Sequence, residues 1–209
     1  TGIKGRLGSN PPIPNPKEPI DMGSSSGDRT YSAGTSIISS DLHVDQLTAG
    51  REGAQLAAEL GCSSADHLEQ ISPEGIAALA RSNTVAVLAP TSTLFSRARP
   101  WAPGRALREA GVTVALCTNC NPGSSMSENV SLAMSLACLE NGLTPAEAYL
   151  GFTRSAAAAL AMPELGRLFV DGPADLVVYQ CRSFRQLPYH LGVAEVRHVG
   201  ARDHEEVPG

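Results

Sequence analysis

Short apolar segments alternate with helical patterns from about residue 36 onward, and this alternation constrains the fold more than any other feature. Strands are predicted at 36–44, 64–68, 84–88 and 112–116. Strands separated by helices pair in parallel through right-handed crossovers. The sequence therefore predicts an α/β fold with four β/α units. A closed barrel of this kind needs eight strands and about 250 residues, so the four predicted strands correspond to half of one.

The helical segments carry recognisable end signals. Helices are predicted at 52–60, 73–81, 103–110 and 127–140, and a further one begins at Thr144. Gly61 stands where a helix C-cap belongs, and Ser72 precedes a proline in the position of an N-cap. Thr144, Pro145 and Glu147 match a capping box with proline in the first turn.

The two ends of the chain differ from this middle part. Residues 1–35 hold five prolines and a Gly/Ser run without hydrophobic periodicity, so we expect a disordered or irregular arm there. Residues 36–165 are expected to form the β/α units. Strands predicted at 168–170, 176–179 and 194–199 indicate a small β unit and tail over 166–209.

The composition indicates which kinds of binding partner the protein has and in which cellular compartment it occurs. A net charge of −5 argues against nucleic-acid or anionic-membrane binding. No apolar run approaches the roughly 18 residues of a membrane span. The five cysteines lack a framework-like spacing, so we expect reduced thiols in a cytoplasmic protein.

Three polar residues follow predicted strands and are candidates for one site. His43 ends the first strand, His67 the second, and Asn119 the fourth. Because the C-terminal ends of parallel strands share one rim, these side chains can converge on a metal or general-base site. The alternative is two ordinary histidines, one paired with Asp66 and the other with Asp45.

The segment Thr118–Ser125, T-N-C-N-P-G-S-S, joins the fourth strand to a helix. Asn119 and Asn121 are two residues apart and carry donors and acceptors suited to a polar ligand. Alternatively, Asn-Pro-Gly is simply a turn. Cys117 and Cys120 form a C-x-x-C at a strand end, which differs from the helix N-terminal position of redox cysteines.

Several segments in unbroken order resemble imidazolonepropionase of the amidohydrolase superfamily. They are H-V-D-Q-L at 43–47, A-A-E-L-G at 57–61, S-A-D-H-L at 64–68, T-V-A-V-L at 84–88, N-P-G-S-S at 121–125, M-S-L-A-C at 134–138, A-D-L-V-V at 174–178 and L-P-Y-H at 187–190. The resemblance covers about residues 41–199. It implies the C-terminal half, strands five to eight, of a distorted (β/α)8 barrel with a small β flank, and a homodimer.

The resemblance also implies an activity. Imidazolonepropionase hydrolyses the ring amide of a small molecule, 4-imidazolone-5-propanoate, to N-formimino-L-glutamate in histidine degradation, using one Zn or Fe ion to activate water. Carried over by position, His43 is a metal ligand, and Gln46 is a catalytic and substrate-contacting residue at a position where some members carry Glu as a possible base. His67 polarises the carbonyl or shuttles a proton, and the substrate is held by Asn121, Gly123 and Ser124.

Two departures separate this chain from the family pattern. No H-x-H pair occurs in the sequence, and Asn119 stands where the family has a metal-binding Asp. The candidate metal ligands are then only His43 and Asn119, and one possibility is that this chain binds no metal. Two interpretations follow. The first is a hydrolase that is impaired or inactive as this chain alone. The second is a chain without catalytic activity, either a half-barrel binding or assembly protein or a degenerate paralogue.

Overall fold

The computed structural model of the chain describes residues 41–193 and 196–200. The arm expected at 1–35 and the first part of the predicted strand 36–44 lie outside the described residues. The described elements, in chain order, are β1 (Asp41–Val44), α1 (Gly53–Leu60), β2 (Ser64–His67), α2 (Pro73–Ala80), β3 (Val85–Leu88), α3 (Pro90–Ser96), α4 (Gly104–Glu109), β4 (Val114–Leu116), α5 (Val130–Leu139), α6 (Pro145–Gly151), α7 (Arg154–Ala159), β5 (Leu176–Tyr179), α8 (Gln186–Tyr189) and β6 (Val196–Gly200).

The first four strands form one parallel sheet in the order β1-β2-β3-β4. This order confirms the predicted α/β fold with sequential parallel pairing. All four strands therefore end at the same edge, which is where the candidate site residues were expected. Strands β1 and β4 are the two outer strands of the described sheet.

The core lies between this sheet and its helices. Its largest fully buried side chains include Leu68, Leu79, Leu88 and Leu107, and most of its other members are alanines and valines. Small side chains let the helices approach the sheet closely. Truncating one of these leucines to alanine typically costs about 2–5 kcal/mol, so the layer is held chiefly by apolar burial.

The predicted helix ends are confirmed at three places. Ser72 accepts a hydrogen bond from the Gly75 N–H (3.1 Å) at the start of α2. Gly61 ends α1 with a left-handed φ of 65°, which glycine adopts without strain. The capping box before α6 is present, since Thr144 and Glu147 exchange side-chain and backbone hydrogen bonds.

The structure corrects the sequence prediction in three places. A helix, α3, which was not predicted, lies between the predicted strand 84–88 and the predicted helix 103–110, with Pro90 in its first turn. Residues 168–170 are not a strand, and the small β unit is the antiparallel pair β5 and β6. The helix expected from Thr144 is broken at residues 152–153 into α6 and α7.

Among the described residues, no helix combines the length and the apolar character needed to cross a membrane.

Glu147 joins α6 to α4. Its carboxylate accepts hydrogen bonds from the Thr144 N–H (2.8 Å) and from the Arg105 guanidinium, and Arg108 lies 3.5 Å away. Burial alone would raise the pKa of Glu147, but the hydrogen bonds from Thr144 and Arg105 and the charge of Arg105 lower it to about 2. The ionised carboxylate is therefore a stabilising group in the folded chain.

Replacing Glu147 with Gln should lower the free energy of unfolding by about 1–2 kcal/mol at pH 7. The folded pKa of about 2 lies below the ordinary value of 4.5, so the stabilisation is present above pH 4.5 and is lost as the pH falls toward 2. Urea unfolding should show a smaller difference from wild type at pH 3 than at pH 7. Exposed Glu59→Gln is the control, and an equal Glu147→Gln effect at both pH values would contradict the assignment.

Asp45 caps α1, although it lies seven residues before Glu52, the residue at the N-cap position of the helix. Its two carboxylate oxygens accept hydrogen bonds from the N–H groups of Gly53 (3.1 Å) and Ala54 (3.0 Å). A Cβ on Gly53 would lie 2.6 Å from the Val44 Cβ, so glycine is what permits this close approach. The buried carboxylate thus ties the loop after β1 to the first turn of α1.

Asp45→Ala should destabilise the chain by about 1–2 kcal/mol, because two helix N–H groups lose their acceptor. Asp45→Asn keeps one acceptor oxygen and should lose less. The two variants can be compared by urea unfolding at pH 7. A change below about 0.5 kcal/mol for Asp45→Ala would show that the cap adds little.

Candidate active site

Polar side chains gather beyond the C-terminal ends of β1, β2 and β4. The chain turns sharply at each of these ends through non-glycine residues in the left-handed region: Asp45 (φ 50°), His67 (φ 79°), Leu68 (φ 67°) and Asn119 (φ 47°). Such conformations cost about 1–3 kcal/mol each and cluster at functional sites. Four of the eight non-glycine residues with a positive φ in the described part of the chain thus lie at the edge predicted to hold the site.

His43 and His67 lie side by side on neighbouring strands, as predicted. Their ring centroids are 5.2 Å apart with an interplanar angle of 44°. The His43 side chain is 66% exposed, with Nδ1 3.7 Å from an oxygen of Asp66, whereas His67 is buried. One histidine therefore faces solvent at the rim while the other lies beneath it.

Only part of the predicted pairing of the histidines with acidic residues is correct. Asp66 lies beside His43, but Asp45 binds the N-terminus of α1 and pairs with neither histidine. Burial raises the pKa of Asp66, and the hydrogen bond from Ser64 (2.5 Å) together with the His43 charge offsets only part of this increase.

His67 faces a different carboxylate, Glu69. The His67 Nδ1 lies 3.9 Å from Glu69 Oε1, and both side chains are at most 5% exposed. Thr93 donates a hydrogen bond to the same Glu69 oxygen (2.7 Å). Sequence reasoning missed Glu69, because nothing in S-A-D-H-L-E distinguishes a buried carboxylate from an exposed one.

The Asn-Pro-Gly segment is a turn held by Asn121. The Asn121 Oδ1 accepts hydrogen bonds from the N–H groups of Gly123 (2.9 Å) and Ser124 (2.8 Å). Its Nδ2 donates to the Asn119 carbonyl (2.7 Å) and lies 3.0 Å from Ser124 Oγ. Both ends of the Asn121 amide are engaged within the loop, so its direct effect is to shape the rim.

Helix α3 connects the two parts of the rim through three successive hydroxyl side chains. Thr91 donates to the Thr118 carbonyl (2.7 Å), Ser92 lies 3.3 Å from both Asn119 Nδ2 and Ser124 Oγ, and Thr93 reaches Glu69. All three residues are at most 3% exposed. Pro90 after a predicted strand was the available sequence signal for this helix.

The structure does not bring His43 and Asn119 into one visible metal cluster. His43 lies on one outer strand of the sheet, and Asn119 follows the other. Across the described residues, no three His, Cys, Asp or Glu side chains are grouped so as to hold a metal ion. Gln46 and His43 instead line a hollow of about 340 Å³ outside β1.

Cys117 lies at the C-terminal end of β4 near the same acidic side chains. Burial raises the pKa of its thiol to about 11, with smaller increases from Asp66 and Glu69 and an opposing hydrogen bond from the Asn119 backbone. The thiol is therefore protonated at neutral pH, which agrees with the expectation that this C-x-x-C is not a redox pair.

Cys117 should react with iodoacetamide at pH 8 about 100-fold more slowly in the folded chain than in urea, because a pKa of 11 in place of 9 lowers the thiolate fraction by that factor. Mass spectrometry of digested samples gives the rate for each cysteine, and exposed Cys120 and Cys181 are internal controls. Equal rates for Cys117 in both conditions would contradict the raised pKa.

The chain is similar in sequence to several imidazolonepropionases. The chain is 59% identical to an imidazolonepropionase of Myxococcus xanthus (strain DK1622) over 172 residues, which are 82% of this chain and 41% of the relative. It is 57% identical to an imidazolonepropionase of Anaeromyxobacter sp. (strain K) over 73% of the chain and 36% of the relative. No family model matches the chain.

Solved structures agree on the fold. An adenosine deaminase from Xanthomonas campestris with bound zinc has a TM-score of 0.62 at 22% identity, covering 77% of this chain and 43% of the deaminase. A molinate hydrolase has a TM-score of 0.60 at 19% identity, covering 77% of this chain and 41% of the hydrolase. At these identities the likeness concerns the fold alone.

The chain spans about two fifths of the length of the curated relatives that it matches. Four of its eight motif segments lie in the parallel sheet or at the rim described above, and the other four lie at α1, α5, β5 and α8. The resemblance seen in the sequence is thus confirmed, and over the matched residues this chain is a homologue of the imidazolonepropionases.

Proposed function

We propose that this chain carries part of an imidazolonepropionase, which opens the ring amide of 4-imidazolone-5-propanoate to N-formimino-L-glutamate. The observation that carries the proposal is the 59% identity to the Myxococcus xanthus protein of that name. The arrangement of His43, His67 and the Asn121 turn at one strand edge supports it, because ligands of β/α folds bind at that edge.

The four-stranded sheet corresponds in this proposal to strands five to eight of a (β/α)8 barrel. Each solved neighbour is more than twice as long as the part that this chain covers. Strands β1 and β4 would then pair with strands supplied from outside the described residues. The homodimer expected from the resemblance stays a prediction.

Hydrolysis of the ring amide adds one water to the carbonyl carbon, breaks the carbon–nitrogen bond and delivers a proton to the leaving ring nitrogen. His67 is the candidate for moving this proton, because imidazole can accept and donate near neutral pH. Gln46, beside His43, is the candidate contact for substrate. The Asn121 turn, with Gly123 and Ser124, would form the opposite wall.

The described residues do not make a complete metal site. Zn or Fe is the ion that the resemblance implies, and it would activate the attacking water when bound. A catalytic zinc normally has three protein ligands, whereas His43 and Asn119 are the two candidates here, and an asparagine oxygen is a neutral ligand. The remaining ligands would have to come from outside the described residues.

A second candidate function follows from that incomplete set. Asn119 cannot act as a carboxylate ligand or base, and its Nδ2 is 3.3 Å from Ser92 Oγ. A chain that keeps the rim but lacks the metal set would bind or assemble without catalysing. This is the non-catalytic half-barrel interpretation, and Asn119 is the residue that favours it.

A chimera tests both functions. The matched 172 residues of this chain would replace their counterparts in the Myxococcus xanthus relative, once with Asn119 and once with Asn119→Asp. If position 119 is a metal ligand, the aspartate chimera should hold more zinc or iron and turn over on the order of 10- to 100-fold faster. Metal content by plasma emission and product by mass spectrometry measure the two effects.

The outcomes separate the proposals. Adding His67→Gln to the aspartate chimera should abolish turnover and leave metal content unchanged. A folded aspartate chimera that is inactive while the parent is active would contradict the hydrolase proposal and support the non-catalytic one. Parental activity and metal content in the Asn119 chimera would show that position 119 needs no carboxylate.

A further inference from the structure

His67 and Glu69 form a buried polar pair at the end of β2. Their side chains are 5% and 1% exposed, and the His67 Nδ1 lies 3.9 Å from Glu69 Oε1. A carboxylate buried to this degree needs hydrogen-bond partners, since desolvation is otherwise uncompensated. One oxygen has such a partner in Thr93 (2.7 Å).

Two atoms of this pair have no hydrogen-bond partner within the described residues: His67 Nδ1 and Glu69 Oε2. One can carry a proton and the other can accept a hydrogen bond. Buried polar atoms are almost always satisfied in native proteins, directly or through an ordered water. The Nδ1–Oε1 distance of 3.9 Å is too long for a direct hydrogen bond, so an imidazole proton on Nδ1 with one ordered water between the ring and the Glu69 carboxylate is the simplest way to satisfy both atoms.

The backbone holds the two side chains in this relation. His67 and Leu68 both adopt left-handed φ values, of 79° and 67°, between the end of β2 and Glu69. The Leu68 N–H donates to the Val44 carbonyl (3.2 Å), and the Gln70 N–H donates to the Asp45 carbonyl. Leu68 and Gln70, on either side of Glu69, are thus bonded to Val44 and Asp45 at the end of β1, and these bonds fix the Glu69 backbone near His67.

We propose that Glu69 is a positioning residue for His67, accepting a hydrogen bond from Nδ1–H through one water, and that Thr93 holds Glu69 in place. This arrangement fixes the tautomer and the ring orientation of His67. It leaves Nε2 as the nitrogen with a free lone pair. Helix α3 thereby acts on His67 through Glu69, without touching the substrate.

The catalytic consequence rests on the proposed function. A histidine held in one tautomer presents the same nitrogen to the reacting proton in every turnover. Loss of such a supporting carboxylate typically costs 10- to 100-fold in activity. We expect the loss in kcat rather than KM, because Glu69 is buried behind His67.

The tautomer itself can be measured without any activity. Long-range ¹H–¹⁵N correlation spectra of the uniformly ¹⁵N-labelled 209-residue chain at pH 8 distinguish Nδ1–H from Nε2–H imidazole, and His67→Gln assigns the signal. Wild type should show His67 as the Nδ1–H tautomer. Glu69→Met should shift it toward Nε2–H, and Glu69→Gln, which keeps an acceptor oxygen, should retain Nδ1–H.

Two further variants guard against misfolding. Thr93→Val removes the hydroxyl at nearly constant volume and should broaden or shift the His67 signal while the other amide resonances stay in place. Glu74→Met makes the same substitution at an exposed carboxylate on α2 and should change nothing. If His67 is Nε2–H, or averages between tautomers, in the folded wild type, the proposal is overturned.

In the aspartate chimera, Glu69→Met should lower kcat about 10- to 100-fold with KM within about twofold, and Glu69→Gln should recover most of the rate. A fixed Nδ1–H tautomer in an inactive chimera would sink the proposed function alone. A shifted tautomer with unchanged kcat would show that Glu69 orients His67 but that the orientation does not limit the reaction.

Discussion

The candidate site depends on three consecutive hydroxyl groups at the start of α3. Thr91, Ser92 and Thr93 are buried; the first two reach the loop after β4, and Thr93 reaches Glu69 after β2. A buried hydroxyl without a partner is costly, so this helix can dock in only one register against the loops after β2 and β4. The same contacts that satisfy the helix therefore align the histidine side of the rim with the asparagine side.

Burial also sets the chemistry of the rim. It is the largest cause of the raised pKa at Asp66 and at Cys117, and the carboxylates of Asp66 and Glu69 add to the effect at Cys117. Burial at this edge disfavours the charged form of an acidic side chain unless that side chain is paired. Exposed His43 and buried His67 consequently have different surroundings although they lie on adjacent strands, and only His67 has a carboxylate enclosed with it.

The length of the chain bears on what this rim can do. It matches its curated relatives over about two fifths of their length, and the sheet ends in the two outer strands β1 and β4. An outer strand presents unpaired N–H and C=O groups, which favour pairing with a further strand. Asn119 is a neutral side chain, and the proposed function accordingly takes the remaining strands and metal ligands from outside the described residues.

The sequence by itself determined the alternation of strands and helices, the parallel order, the helix caps at Gly61, Ser72 and Thr144, and the family resemblance, because these follow from local periodicity and short motifs. Only the tertiary structure decided that Glu69 lies under His67, that Asp45 caps α1, and that Asn121 uses its amide within its own turn. Burial and pairing of a polar side chain depend on which distant segments pack against it. The local sequence does not specify those neighbours. Asp45, which caps a helix, and Asp66, which lies beside a histidine, therefore cannot be distinguished before the fold is known.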